Sequence, residues 1–470
     1  MFELKLNCYK VPLNLSERAR RGFKKPIICY LLNINDKRKF FITYVIVDFA
    51  KNEMLYIFSY NEENIERVNH QPNNEIYKID GTPHCTLEVN KGEDFITFME
   101  EEEFFVYVNY RKMVMKVYTA NDLIRDSNLN FKRISSTFYK DESNPNYFYM
   151  SVVDEKNILH IFRISLDFNN VEEVDAYLSH PAPPHVLRKH KDYLFLSHEF
   201  KFSRYQLIND NMIISQDDLF RRVNLNVNRI LYKKDKLKDS QNTNIDLSPQ
   251  DILNLIQEKY PVKCLPGKIL MMDIKTKEKT YYDTSGGSPA HFEIDTHNDT
   301  IYTSSHNFFF SVKGLLFLEP AVIDKFKLTE GKLELIGSFS HPKGFRYTTH
   351  KIFHNKGKPY ICVFGQPNRL MFIDAEKMEL VHFQDIGEDE LTNPSDISTY
   401  MIPKPGNLVA IEVSEDGEDI IFIGSKYLYF FNFEEKCIFE KIDLDLLSLS
   451  NKNIPLNDYI SLTVHFNYLY

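Results

Sequence analysis

Apolar and polar residues follow one another along this chain in short bursts. Runs rich in Ile, Val, Phe and Tyr are separated by polar turns: KFFITYVIVDF (39–49), EDFITFM (93–99), NYFYMSVV (146–153), DYLFLSH (192–198), DTIYTSSHNFFF (299–310), PYICVFG (359–365) and DIIFIGS (419–425). β-Branched and aromatic residues in runs of this length, bounded by turns such as Asn-Lys-Gly or Glu-Asp-Gly, read as strands. Many short strands with few helical patterns predict an all-β protein.

The strands fall into a repeat when four segments are stacked: those beginning at Thr82, Pro183, Ser288 and Tyr347. Each opens a first strand near a His, turns, and continues into a strongly apolar second strand. A third strand with a polar finish follows, as in GKILMMDIKTKEK (267–277) or NRLMFIDAEKM (368–378), and then a weaker fourth, as in ELVHFQDI (379–386). Four antiparallel strands per unit, repeated, are the pattern of a β-propeller. Seven units are expected, with first strands near Cys29, His84, Ser136, His185, His291, His350 and Ala410. One ring then spans 1–470, although length alone would suggest several domains.

The long step from His185 to His291 marks an insertion in the fourth unit, at 203–264, between its second and third strands. Within it, Ser248 is a good N-cap and Pro249 suits the first helical position. Ile252, Leu253, Leu255 and Ile256 share one face of the predicted helix. A smaller insertion, VKGLLFLEPA (312–321), occupies the same place one unit later. Both would overhang the channel mouth, the larger as a lid. The strand-like ends, 2–11 and 458–470, suggest that one end completes a blade begun by the other.

Composition narrows the partners. The net charge of −9 argues against nucleic acid or an anionic membrane as the main partner. No apolar stretch is long enough for a transmembrane helix, and the N-terminus has no signal-peptide pattern. Cys8, Cys29, Cys85, Cys264, Cys362 and Cys437 are scattered without a CxxC pair, which reads as reduced thiols in a cytoplasmic protein. No Trp is present, so the propeller lacks the Trp-Asp signature of WD40 scaffolds. No phosphate-binding or hydrolase motif occurs.

The chemistry lies in the histidines. His84, His185, His291 and His350 all fall at the start of first strands, in the phrases TPH, PPH, SPAH and TTH. The innermost strand of a blade faces the central channel, so four such positions would aim four imidazoles at one axis. An all-imidazole site suits a transition metal rather than Ca or Mg. A second tier stands at the end of the second strands: Glu100, His198 and His306, aligned with Gly365 and Gly424. These would orient the ligands. The remaining His residues lie out of register and read as turn or surface residues.

A seven-bladed ring bringing four His to one axial point resembles the carotenoid cleavage oxygenases. The resemblance covers architecture and ligand set, not contiguous motifs, and no set of three supporting Glu is recognisable here. It implies a non-haem Fe(II) held by His84, His185, His291 and His350 that activates dioxygen, with Cu, Zn or Mn as alternatives to iron. The expected function is a metal-dependent oxidoreductase, a dioxygenase acting on an apolar or aromatic small molecule beneath the 203–264 lid. Two other readings stand beside it: a non-catalytic propeller that binds a protein partner, and a His/Tyr metal-assisted lyase or hydrolase.

Overall fold

The computed structural model describes residues 143–178, 186–198, 203–223, 249–311, 314–344, 346–366, 369–386, 410–423 and 427–443 in nearly continuous runs. Before residue 143 it describes strand and helix segments, mostly as backbone pairing. The protein is built mainly of antiparallel strands, as the apolar bursts predict.

Among the described residues the strands form eight sheets, seven of four or more strands and one of three. The seven follow the chain. The first pairs Ile27–Asn35, Lys39–Asp48 and Met54–Ser59, with Asn7–Pro12 on the outer edge. The second runs Thr82–Val89, Asp94–Glu100, Phe104–Asn109 and Val114–Thr119, extended by Phe2–Lys5 and Ile65–Glu66. In the third, two short pieces, Phe131–Ile134 and Tyr139–Lys140, share the place of the first strand beside Tyr147–Asp154; Ile158–Ser165 and Val171–Leu178 follow.

The fourth sheet runs Val186–His190, Tyr193–Ser197, Lys268–Asp273 and Lys279–Asp283. The fifth runs Ser288–Asp295, Thr300–Ser311, Gly314–Thr329 and Lys332–Ser340. The sixth runs Arg346–Asn355, Lys358–Gln366, Arg369–Asp374 and Glu379–Asp385. The seventh runs Ala410–Val413, Asp419–Ile423, Tyr427–Asn432 and Cys437–Asp443. Tight hairpins take the left-handed backbone their turns demand: Lys356 and Gly357 have φ of 50° and 78°.

From the third sheet onward both faces are apolar, and the cores lie between consecutive sheets. Leu159 and Ile161 of the third meet Leu187, Leu194 and Leu196 of the fourth. Val186 and Phe195 of the fourth meet Phe292 and Ile301 of the fifth. Tyr302 and Ile323 of the fifth meet Ile352, Ile361 and Val363 of the sixth. Phe353 and Phe372 of the sixth meet Phe422, Tyr429 and Phe431 of the seventh. First strands of successive sheets touch from the fourth through the seventh.

The two ends meet through a helix. Glu17–Arg21 begins at Ser16, whose backbone N–H donates to Glu440 at 3.1 Å, and Arg18 donates to Glu435 at 3.1 Å beneath the Phe439 ring. Both N-terminal strands join sheets of the first part of the chain: Phe2–Lys5 pairs with Val114–Val117, and Asn7–Pro12 with Met54–Ser59. The expected exchange of a strand between the ends is not what these residues do, and 458–470 lies outside the described residues. An exposed polar contact of Ser16 and Arg18 with the seventh sheet joins the two ends instead.

The insertion lies between the second and third strands of the fourth sheet, as expected. It holds a three-stranded sheet, Arg204–Leu207 flanked by Met212–Ser215 and Val262–Cys264, and the helix Pro249–Lys259. Ile252, Leu255 and Ile256 are the buried face of that helix. The insertion has its own core, shared with Phe309 and Leu316 of the fifth sheet. The second insertion is therefore the tip of a long hairpin, and the first is mounted on it. Among the described residues no helix is long and apolar enough to cross a membrane.

Candidate functional site

A β-bulge recurs at the start of the first strand in three sheets. In the second sheet Pro83 pairs with Met99 and Cys85 with Phe98, which leaves His84 as the extra residue. In the fifth Pro289 pairs with Ser305 and His291 with Ser304, leaving Ala290. In the sixth Tyr347 pairs with Gly365 and Thr349 with Phe364, leaving Thr348. The three His are thus staggered: His84 occupies the bulge, His291 follows it by one residue and His350 by two. A one-residue offset turns a strand side chain to the opposite face.

That stagger brings two of them together. On the fifth sheet Phe292 faces the fourth sheet, so His291 faces the sixth. On the sixth sheet Ile352 faces the fifth, and His350, two residues earlier, does the same. Tyr302, Ser304 and His306 alternate along one face of the fifth sheet's second strand, toward the same boundary. His291, His306 and His350 therefore gather at one end of the boundary between the fifth and sixth sheets. The His291 and His306 ring centroids are 6.3 Å apart.

His350 is fully buried, and neither ring nitrogen has a hydrogen-bond partner. Burial drives its pKa down to about 4; the Tyr302 backbone opposes this, while Arg188 and His306 reinforce it. At neutral pH the ring is an uncharged imidazole. On the second strand of the fifth sheet the hydroxyls of Thr303, Ser304 and Ser305 are buried and unbonded, and of these Ser304 faces the sixth sheet. Arg188, 2% exposed, donates Nη1 to Leu187 O at 2.9 Å and stacks 5.2 Å from the Tyr139 ring.

The other expected site residues divide. His84 lies in a described strand whose side chains are outside the description, and His185 lies outside the described residues. Glu100 ends the second strand of its sheet and pairs with Thr82, matching the pairing of His306 with Ser288. His198 is fully buried, with its Nε2 3.4 Å from the Tyr177 hydroxyl. It follows Leu194 and Leu196 and so faces the third sheet, whereas His306 faces the sixth. The pairs Ser197-His198 and Ser305-His306 match in letters but not in facing.

The His residues set aside as turn or surface are not all so. His160 is buried mid-strand, with Nδ1 2.6 Å from Glu173 Oε1, and His190 is buried with Nε2 3.0 Å from Asp299. Both are held by carboxylates. The buried hydroxyls and Arg188 had no role in the sequence reading; their one signal was the Thr-Ser-Ser run before His306.

The donor chemistry at His350 fits a transition metal, because a neutral imidazole with open nitrogens is its usual ligand. Among the described residues no group of three His, Cys, Asp or Glu converges closely enough to hold an ion. A complete set would draw on His84 and His185.

The insertion adjoins this cluster. The strand carrying His306 runs on to Phe308, whose ring is 6.4 Å away, and the Tyr205 hydroxyl of the insertion donates to Phe308 O at 2.7 Å. No protein family matches this chain, and no curated protein matches it.

Proposed function

We propose that the seven sheets close into a seven-bladed β-propeller and that the chain is a metal-dependent enzyme of the oxidoreductase class. One observation carries the site: His350 is a fully buried, neutral imidazole with both nitrogens unpaired. A buried polar group normally finds a partner, and leaving one without costs about 1–3 kcal/mol. A metal ion would satisfy it. His350, His291, His84 and His185 are the residues that would hold it. Bound there, the metal would supply Lewis-acid and one-electron chemistry, Fe(II) being favoured by the resemblance to the carotenoid cleavage oxygenases.

The chain's own residues have separable tasks in this reading. His350 stays unprotonated because burial disfavours its charge. His306 stands 6.3 Å from His291, centroid to centroid, and fixes that ring's setting. The insertion, anchored two residues beyond His306 through Tyr205, keeps water from the cluster. Contacts between successive first strands, and the Arg18 link between the two ends, support ring closure.

Elemental analysis of protein purified without a His tag tests this. A stoichiometric transition metal is expected, lost in His350→Ala and in His185→Ala while the circular dichroism spectrum is kept. Substoichiometric metal that neither variant changes would overturn it and leave the protein-binding propeller as the better reading.

A further inference from the structure

The first strands of the fifth and sixth sheets meet again at their far ends. Phe292 and Ile294 face the fourth sheet, so Asp295 faces the sixth; His354 follows Ile352 on the face toward the fifth. His354 stands four residues beyond His350, about 13 Å along the strand, so this end is separate from the cluster described above. There His354 Nε2 lies 3.6 Å from Asp295 Oδ2. His297, in the hairpin turn after Asp295, has its Nδ1 3.6 Å from Asp295 Oδ1. The two rings are 5.5 Å apart, centroid to centroid, at an interplanar angle of 62°.

The Asp295 carboxylate is 1% exposed. It accepts from the His297 backbone N–H at 3.1 Å and from the Asn298 amide at 2.8 Å, and no Lys or Arg pairs with it among the described residues. Lys325 and Lys327 of the same sheet donate instead to the backbone oxygens of Ala375 and Asn298. A buried carboxylate calls for an opposite charge. Two imidazolium rings this close would repel each other, whereas one cation shared by both would not. Imidazoles bound to one ion at the usual metal–nitrogen distance place their centroids roughly 5–6 Å apart, which matches the spacing found. The His354 backbone is fixed from the seventh sheet: Gly417 packs so closely under its carbonyl that a Cβ there would strike it. His297 is 81% exposed and His354 36%, so an ion can reach both.

We propose that His297 and His354 together bind a divalent transition-metal ion, with Asp295 as the negative charge behind the two rings. Imidazole selects zinc, copper or nickel over magnesium and calcium, and a carboxylate behind a ligating imidazole raises its basicity. The site is a pair of ligands completed by water, in keeping with the absence of any converging group of three among the described residues. Bound there, the ion ties the fifth-sheet hairpin to the sixth sheet. The site stands whether or not the His350 cluster holds a metal.

Titration calorimetry with zinc chloride and magnesium chloride on the full chain, stripped with a chelator and desalted, tests the assignment. Wild type should take up one zinc more than His297→Ala or His354→Ala, whatever the His350 cluster binds, and magnesium should not bind. Asp295→Asn should weaken that zinc about tenfold. The same difference should persist when each variant is made in a His350→Ala background. His297 is exposed, so His297→Ala decides even where a variant at a more buried position fails to fold. An equal zinc count in wild type and His297→Ala, loss of the extra zinc in His350→Ala alone, or magnesium binding at the same strength would each overturn the proposal.

Discussion

Two buried polar clusters lie two sheet boundaries apart, and they are finished differently. Between the third and fourth sheets, Asp141 is 1% exposed and fully engaged. It accepts from Arg163 Nε at 2.8 Å and from the Ser143 backbone at 3.0 Å, and Lys189 Nζ lies 3.2 Å away. Burial pushes its carboxyl up, but Ser143, Arg163 and Lys189 together hold it below the usual carboxylate range. Between the fifth and sixth sheets, His350 and Ser304 are as deeply buried and have no partners. A satisfied cluster locks two sheets in register. An unsatisfied one retains polar capacity that only a ligand uses. Burial alone does not separate architecture from site; satisfaction does.

The sharpest way to break this contrast is to remove Asp141. Asp141→Ala leaves Arg163 and Lys189 without their shared anion and should cost about 3–5 kcal/mol in urea unfolding. The same carboxylate contributes its stability above about pH 4, the unfolded value, and loses it as pH falls through the lower folded value. A cost under about 1 kcal/mol would show that the network is peripheral. Metal content should be unaffected in the folded fraction.

His350 acts in a different pH window. Its folded pKa, about 4, lies below the value of about 6.5 for a free His. The unfolded chain therefore binds the proton more readily between these values. In chelated protein, stability should fall as pH drops from about 6.5 to about 4, by about 3 kcal/mol in all. His350→Gln should remove that slope and leave the Asp141 loss at lower pH intact. A wild-type curve that is flat from pH 6.5 to 4 would mean that the ring already has a partner.

Much of this was legible in the letters. The expected starts of first strands at Cys29, His84, His291, His350 and Ala410 all fall inside observed strands, and Ser136 falls between two short pieces doing one strand's work. Pro249 and the Ile252, Leu255 and Ile256 face located the inserted helix, because capping and periodicity are local properties. Facing was not legible. The bulge adds one residue at a place that no composition marks, so His84, His291 and His350 align by eye yet sit at successive offsets from it. The burial of Arg188 was not legible either, because burial of a charged side chain is decided by neighbouring sheets, not by its own strand.

The smallest expected effect is the most direct test of that lesson. Ser197 and Ser305 each precede a buried His, but they face opposite neighbours. Ser197 accepts from Val186 N of its own sheet at 3.1 Å and donates to Ala290 O of the fifth sheet at 3.1 Å. Ser305 follows Ile301 and Thr303 toward the fourth sheet, and its hydroxyl is unbonded. Ser197→Ala should cost about 1–2 kcal/mol, because it strands a buried N–H and a carbonyl. Ser305→Ala removes a buried hydroxyl that bonds nothing, so it should fall within about 0.5 kcal/mol of wild type or stabilise it. Equal costs in paired urea melts would mean that Ser305 has a partner after all. The ordering expected here would show that a repeated dipeptide is structural in one sheet and spare in the next, for no reason beyond a one-residue shift in register.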